Sequence, residues 1–115
     1  MIPVAVKPSI TITLDRTIDE TMIVAVLHGL EEEGIPYQLD TDKVEDIVAS
    51  AYMASTQSPL SVGLAVFRDE LVIHYKNLPS HSPLFYIRRL GALPEEEKRK
   101  LGCNAARLVK GIPFA

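Results

Sequence analysis

The order of hydrophobic periods is the strongest constraint on this chain. Ser9-Ile10-Thr11-Ile12-Thr13-Leu14 alternates with period two and is β-branched, the pattern of a strand with one buried face. The next apolar stripe repeats with the helical period from about Ile18 to Glu33 and opens on Thr17-x-x-Glu20, a capping-box spacing. A second extended stretch, Ile35 to Leu39, follows it. Val44, Ile47, Val48, Ala51 and Tyr52 then form a second helical stripe. That helix is expected to open at Asp42-x-x-Glu45, with Thr41 as the alternative cap. It should end near Thr56, because Ser58-Pro59 blocks continuation. A strand, a helix and a second strand in one sheet imply a crossover between parallel strands. The βαβα opening therefore predicts an α/β chain with a mixed, mostly parallel sheet flanked by helices, in a single domain over residues 1–115.

The remaining segments extend that frame. Leu60 to Phe67 is nearly all apolar and reads as a strand covered on both faces. Arg68-Asp69-Glu70 is a tight connection to its hairpin partner, Leu71 to Tyr75. Asn77 to Pro83 reads as a loop, and Leu84 to Leu90 fits a short strand or a helical turn. Pro94 suits the first position of a helix. Glu95, Glu96 and Glu97 then lie where a helix favours negative charge, with Glu95–Arg99 and Glu96–Lys100 pairs expected at i,i+4. Either Asn104 caps a separate last helix, Ala105 to Lys110, or one longer helix absorbs Gly102. Gly111 ends it. Ahead of the first strand lies a short tail with Pro3 and Pro8.

One triplet breaks the local rules. Glu31, Glu32 and Glu33 fall at the C-terminus of the first helix, ahead of Gly34, where a carboxylate is disfavoured by about 0.3–1 kcal/mol at the surface. With Ile23 at zero and about 100° per residue, Leu27, Leu30 and Val26 form the buried stripe. Glu31 and Glu33 fall on its flanks. Glu32 falls roughly opposite, beside Thr21, Ala25 and His28, on a face kept small by Ala25 and Gly29. Small residues let another backbone come close. The plain explanation is a solvated acidic helix end. The sharper one makes Glu32 a ligand of a divalent cation, or the partner of a basic residue from another chain, with His28, Glu31, Glu32 and Glu33 as the interface.

Several function classes are disfavoured. A net charge of −3 argues against nucleic acid. No run of about 18 apolar residues exists, so no membrane partner is expected, and Met1 to Arg16 lacks the apolar core of a signal peptide. A cytoplasmic location follows. Cys103 is the single cysteine, so there is no disulfide framework and no cysteine-based zinc site, and it reads as a bystander. Neither GxGxxG nor GxxxxGK[ST] occurs, which removes those routes to a nucleotide. His28, His74 and His81 make no metal-ligand spacing. Arg88-Arg89 and Lys98-Arg99-Lys100 read as a solvated face. Asp15, Asp40 and Asp42 fall at expected strand C-terminal ends, where open α/β sheets place ligands, although turn formation and capping account for Asp42. No catalytic residue is assigned.

Several stretches carry a resemblance to a known family. Gly29-Leu30-Glu31-Glu32-Glu33-Gly34-Ile35-Pro36 resembles the signature of the small subunits of diol/glycerol dehydratase-reactivating factors. So do Ser58-Pro59-Leu60-Ser61-Val62-Gly63-Leu64-Ala65 and His74-Tyr75-Lys76-Asn77-Leu78-Pro79 with Ser82-Pro83-Leu84-Phe85. The tail from Asn104-Ala105-Ala106-Arg107 to Gly111-Ile112-Pro113-Phe114 agrees as well. Together they cover about Gly29 to the C-terminus. Arg88 to Leu101 diverges, and Cys103-Asn104 stands where the family carries paired asparagines.

The resemblance implies a small subunit that pairs with a large, actin-like, chaperone-type ATPase subunit in an α2β2 complex. ATP and ADP would bind only the large subunit. The complex would act on an adenosylcobalamin-dependent diol or glycerol dehydratase. By exchanging with the dehydratase medium (beta) subunit, which it resembles in fold, the small subunit would help release damaged cobalamin. Glu32, the middle glutamate of the motif, would complete a Mg²⁺ or Ca²⁺ site shared with the large subunit. Association with a bacterial microcompartment is a further expectation. Two alternatives stand beside it. One is the dehydratase medium subunit itself, for which 115 residues look short. The other is a free-standing ligand-binding module of flavodoxin-like shape.

Overall fold

The computed structural model describes residues 8–115; the expected tail with Pro3 lies mostly outside them. Five strands and three α-helices follow one another as β1 (Ile10–Asp15), α1 (Val24–Glu32), β2 (Tyr37–Asp42), α2 (Ile47–Gln57), β3 (Val62–Phe67), β4 (Glu70–Tyr75), β5 (Phe85–Arg88) and α3 (Glu95–Lys110). The sheet order is β2-β1-β3-β4-β5. β1 pairs in parallel with β2 and β3, and β4 is antiparallel to both β3 and β5. The βαβα opening and the mixed α/β sheet thus stand as expected, with β4 alone running against the other four strands.

The first crossover runs from β1 out to β2 and the second back past β1 to β3, and these opposite directions put α1 and α2 on opposite faces. On one face Ile10, Ile12 and Leu14 of β1 join Leu64, Val66, Leu71 and Ile73 beneath α1 and α3. Val26, Leu27 and Leu30 complete that core from α1, and Leu101, Ala105 and Ala106 from α3. The opposite face is thinner. There α2 packs Ile47 and Ala51 onto Ala65 and Val72, and Val44 joins them. β3 is covered on both faces, as its continuous apolar run predicts.

α1 and α3 touch backbone to backbone. A Cβ on Gly29 would stand 2.0 Å from the Arg99 carbonyl oxygen, and one on Gly102 would stand 1.9 Å from that of Val26. The small face foreseen on α1 is therefore occupied, by a helix of the same chain. Gly63 does the same for α2, since a Cβ there would meet Ser55 N at 2.2 Å.

Several local expectations are corrected. The capping box at Thr17 does not form, because Asp15 claims Thr17: its carboxylate accepts from the Thr17 N–H at 3.0 Å and from the Thr17 hydroxyl. Asp19 caps instead, opening a 3₁₀ turn over Glu20–Ile23 ahead of α1. β2 runs on to Asp42, and α2 begins at Ile47 with Asp46 as its cap, accepting from Val48 N and Ala49 N. The cause again lies in Asp15, whose other oxygen holds Val44 N–H at 2.9 Å and keeps that segment out of the helix. Leu84 to Leu90 resolves into β5, a left-handed Arg89 (φ 54°) and a 3₁₀ turn. α3 is one helix with Pro94 as its N-cap, and Asn104 caps nothing but accepts from Ala115 N–H. Its charged pairs fall at i,i+3, as Glu95–Lys98, Glu96–Arg99 and Glu97–Lys100. Lys98 is buried, so the basic run is not a wholly solvated face.

Candidate interaction site

The glutamate triplet closes α1. Glu33 is the C-cap, and Gly34 takes the left-handed conformation (φ 74°) that lets the chain turn towards β2. Gly34 N–H donates to the Glu31 carbonyl and Ile35 N–H to that of Leu30, so orphan carbonyls of the last turn are satisfied. Because α1 returns from the end of β1 to the start of β2, the triplet lies at the N-terminal edge of the parallel strands, away from Asp15 and Asp42.

Each carboxylate has a counterpart within the chain. Glu31 accepts from the Tyr37 hydroxyl at 3.1 Å, and burial first, then Glu31, pushes that phenol up. Glu32 Oε2 is 2.6 Å from Arg99 Nη1. Glu33 Oε1 lies 3.3 Å from both Arg107 Nε and Lys110 Nζ. Hydrogen bonds from Lys110, then Arg107, hold Glu33 below the ordinary carboxylate range. The charges of Glu32 and Glu33 at the end of α1 are thus answered by α3, two of whose cations come from its last turn. His28 is exposed on the neighbouring turn.

The three glutamates are unequal, as the helical wheel foresees. The Glu33 side chain is 17% exposed and the Glu32 side chain 51%. Only one oxygen of Glu32 is engaged among the described residues, since every contact recorded for it runs through Oε2. Arg99 is forked: Nε donates to Glu96 Oε2 at 3.1 Å, Nη2 to Glu96 Oε1, and Nη1 to Glu32. Those bonds raise the guanidinium further and lower Glu96. Cys103 sits behind this cluster, with Sγ 3.7 Å from the Gly29 carbonyl. Burial pushes its thiol up, as suits an inert packing residue. Among the described residues no group of three or more His, Cys, Asp or Glu side chains is placed to hold a metal ion. A hard cation at the one carboxylate of Glu32 would have to take the rest of a shell of six or more oxygens from another molecule or water.

Elsewhere Asp15, Asp40, Asp42 and His74 are committed to structure. Asp15, at the end of β1 where open sheets bind ligands, spends its oxygens on Thr17 and Val44 and is held below its ordinary range by them. Asp40 accepts from Gln38 and Asp42 from Lys43 N–H. His74 is fully buried. Its Nδ1 accepts from Tyr75 N–H at 2.9 Å, so Nε2 carries the proton and donates to the Ser80 carbonyl at 3.0 Å. Its ring stands edge-on to Tyr52. An open groove of about 350 Å³ lies beyond, between α2 and Ser80-His81, with Met53 on its wall. Sequence reasoning missed this groove, which exists only because the loop folds against α2. It also missed Arg99, Arg107 and Lys110, whose basic character was visible but not their position opposite α1.

A family model described as dehydratase medium subunit matches residues 7–115. The chain is 53% identical over 89 residues to the propanediol dehydratase-reactivating factor small subunit of Salmonella typhimurium, and 48% to that of Citrobacter freundii. Each match covers 77% of this chain and 75% of the relative. It is 51% identical to the diol dehydratase-reactivating factor small subunit of Klebsiella michiganensis, over 77% of this chain and 70% of that protein. Among solved structures, a diol dehydratase-reactivating factor complexed with ADP and Mg²⁺ matches at a TM-score of 0.88 and 44% identity, covering 96% of this chain and 99% of that one. A glycerol dehydratase reactivase matches at 0.83 and 29%, covering 95% and 97%.

Proposed function

The chain belongs to the dehydratase medium-subunit family, among the small subunits of dehydratase-reactivating factors, and we propose that it serves as the non-catalytic half of such a factor. The observation that carries this reading is the 48–53% identity to reactivating-factor small subunits, joined to a fold that reactivating factors share with it over nearly its whole length. Residues 1–115 then act as one domain that pairs with a large ATPase subunit in an α2β2 complex. ATP and ADP belong to that partner, in keeping with a chain that carries no phosphate loop.

The client is an adenosylcobalamin-dependent diol or glycerol dehydratase, and the complex works beside it in the cytoplasm or in a bacterial microcompartment. No helix among the described residues is long and apolar enough to cross a membrane. Because the chain falls in the family of dehydratase medium subunits, one surface on the large subunit would take either chain in turn. Exchange of the two would disturb the dehydratase around its damaged cobalamin. The end of α1, with His28, Glu31, Glu32 and Glu33, is the docking edge, and the half-exposed Glu32 carboxylate is its ligand for a shared Mg²⁺ or Ca²⁺.

Co-expression with a reactivating-factor large subunit tests the reading. A complex that elutes together, restores cobalamin-inactivated dehydratase with ATP, and does neither when this chain is omitted is the expected result. A second reading, the dehydratase medium subunit itself, is favoured by the description of the matching family model. It predicts that this chain completes a dehydratase lacking its medium subunit, and restored diol dehydration would replace the first reading.

A further inference from the structure

We propose that Arg99 is a resident counter-ion that competes with the incoming cation for Glu32, so that the carboxylate is given up only to a cation that arrives with the partner's ligands. This rests on the reading of Glu32 above and adds the group that regulates it.

The geometry is that of a braced arm. Glu96, one turn earlier on α3, grips the guanidinium along one edge through Nε and Nη2. That bidentate hold fixes the plane of the group. Nη1 is left to reach across the helix crossing to Glu32 Oε2 at 2.6 Å. The backbone contact at Gly29 sets the reach, since it brings the Arg99 carbonyl against α1. Two carboxylates and one guanidinium leave the cluster one negative charge.

A divalent cation can reach this carboxylate from solvent, because the side chains of Glu32 and Arg99 are 51% and 32% exposed. It must then either displace Nη1 from Oε2 or bind Oε1 within a few ångströms of a fixed positive charge. Both cost affinity, and one carboxylate cannot repay that for an ion that wants six or more oxygens. Further ligands from the large subunit reverse the balance. Arg99 then retires onto Glu96, where two of its bonds already lie, so the switch needs no movement of either helix. When the subunits part, Arg99 returns and no bare carboxylate remains at the vacated edge. An exchange mechanism needs a released subunit that is stable without its partner.

The test is assembly of this chain with its large subunit, stripped with chelator and titrated with Mg²⁺, read by sizing rather than by reactivation. Arg99→Met is expected to lower the Mg²⁺ concentration for half-maximal assembly several-fold, on the order of fivefold, as expected for losing one exposed competing ion pair. Arg99→Lys keeps the charge without the fork and should fall between. Glu96→Gln leaves Glu32 as the main carboxylate for Arg99 and should raise the requirement. It guards against a fold defect in Arg99→Met, because the two shifts have opposite signs. An unchanged or higher requirement in Arg99→Met, or a lower one in Glu96→Gln, overturns the competition. If Glu32→Gln removes the Mg²⁺ dependence while Arg99→Met shifts nothing, the ligand reading survives and only this inference falls. If wild-type assembly ignores Mg²⁺ and chelator, both fall.

Discussion

Gly102→Ala is expected to destabilise the chain although it replaces a mid-helix glycine by the best helix former. The substitution alone favours α3 by about 0.8–1 kcal/mol through propensity. Against this, the new Cβ would lie 1.9 Å from the Val26 carbonyl oxygen and 3.0 Å from Leu30 N. Both neighbours are backbone, so no rotamer change relieves the contact, and α1 and α3 must part by about 1 Å at the crossing. A gap of about 0.5–1 Å forfeits a quarter to a half of the dispersion attraction of each contact across it. The seam loses contacts around Val26, Leu30, Leu101 and Ala105, all in the larger core. Overpacking of this kind costs about 1–3 kcal/mol, and more where the backbone has to move. With the cost at the upper end of that range and the propensity gain subtracted, the net loss should be about 1–2 kcal/mol, read as a lower urea midpoint at unchanged m-value. Gly29→Ala should behave alike, since its Cβ would stand 2.0 Å from the Arg99 carbonyl oxygen. The double variant should lose less than the two single losses together, because helices already parted by one methyl admit the other cheaply. A neutral or stabilised Gly102→Ala, or strict additivity of the pair, would refute the close crossing.

Glu33→Gln should weaken the chain at neutral pH and flatten its acid limb. The folded-state pKa lies below the ordinary 4.5, so the ionised group stabilises above that value and its contribution is lost as pH falls through the folded pKa. Melting curves of the two proteins should therefore converge towards pH 2, and a gap that persists there would exclude this cause. His74→Ala should cost about 2–4 kcal/mol, since it empties a fully buried site and orphans the Ser80 carbonyl and Tyr75 N–H. Amide exchange should show the lost protection concentrated in residues 75–82, and uniform loss would point away from a loop pin. Ser61→Gly should raise stability by up to about 1 kcal/mol, because Ser61 holds φ 63° in the turn before β3; a melting temperature that falls would contradict it.

The sequence alone determined the order of elements and, through it, the class of sheet. Period-two and period-3.6 stripes are properties of neighbouring residues, and the crossover rule turns their order into parallel pairing without knowledge of any contact. The signature residues were legible as a pattern, but their reasons were not. Gly29 and Gly63 are where helices touch backbone, Gly34 supplies a left-handed turn, and His74 pins a loop. These are packing roles that local spacing does not reveal.

Local rules failed where a distant group outbid a near one. Asp15 reached Val44 across 29 residues and moved the start of α2, whereas at Thr17 the same side chain displaced the capping box from only two residues away. The Glu triplet shows the division most clearly. Its position at the end of α1, and Glu32 as more outward than Glu33, followed from helical geometry. Its counter-charges did not, since Arg99, Arg107 and Lys110 are 67 to 77 residues away along the chain. A charge is read from composition, but its partner is set by which surfaces the core brings together. Here that decision was made by two glycines, which let α3 lie close enough to α1 for the pairs to form.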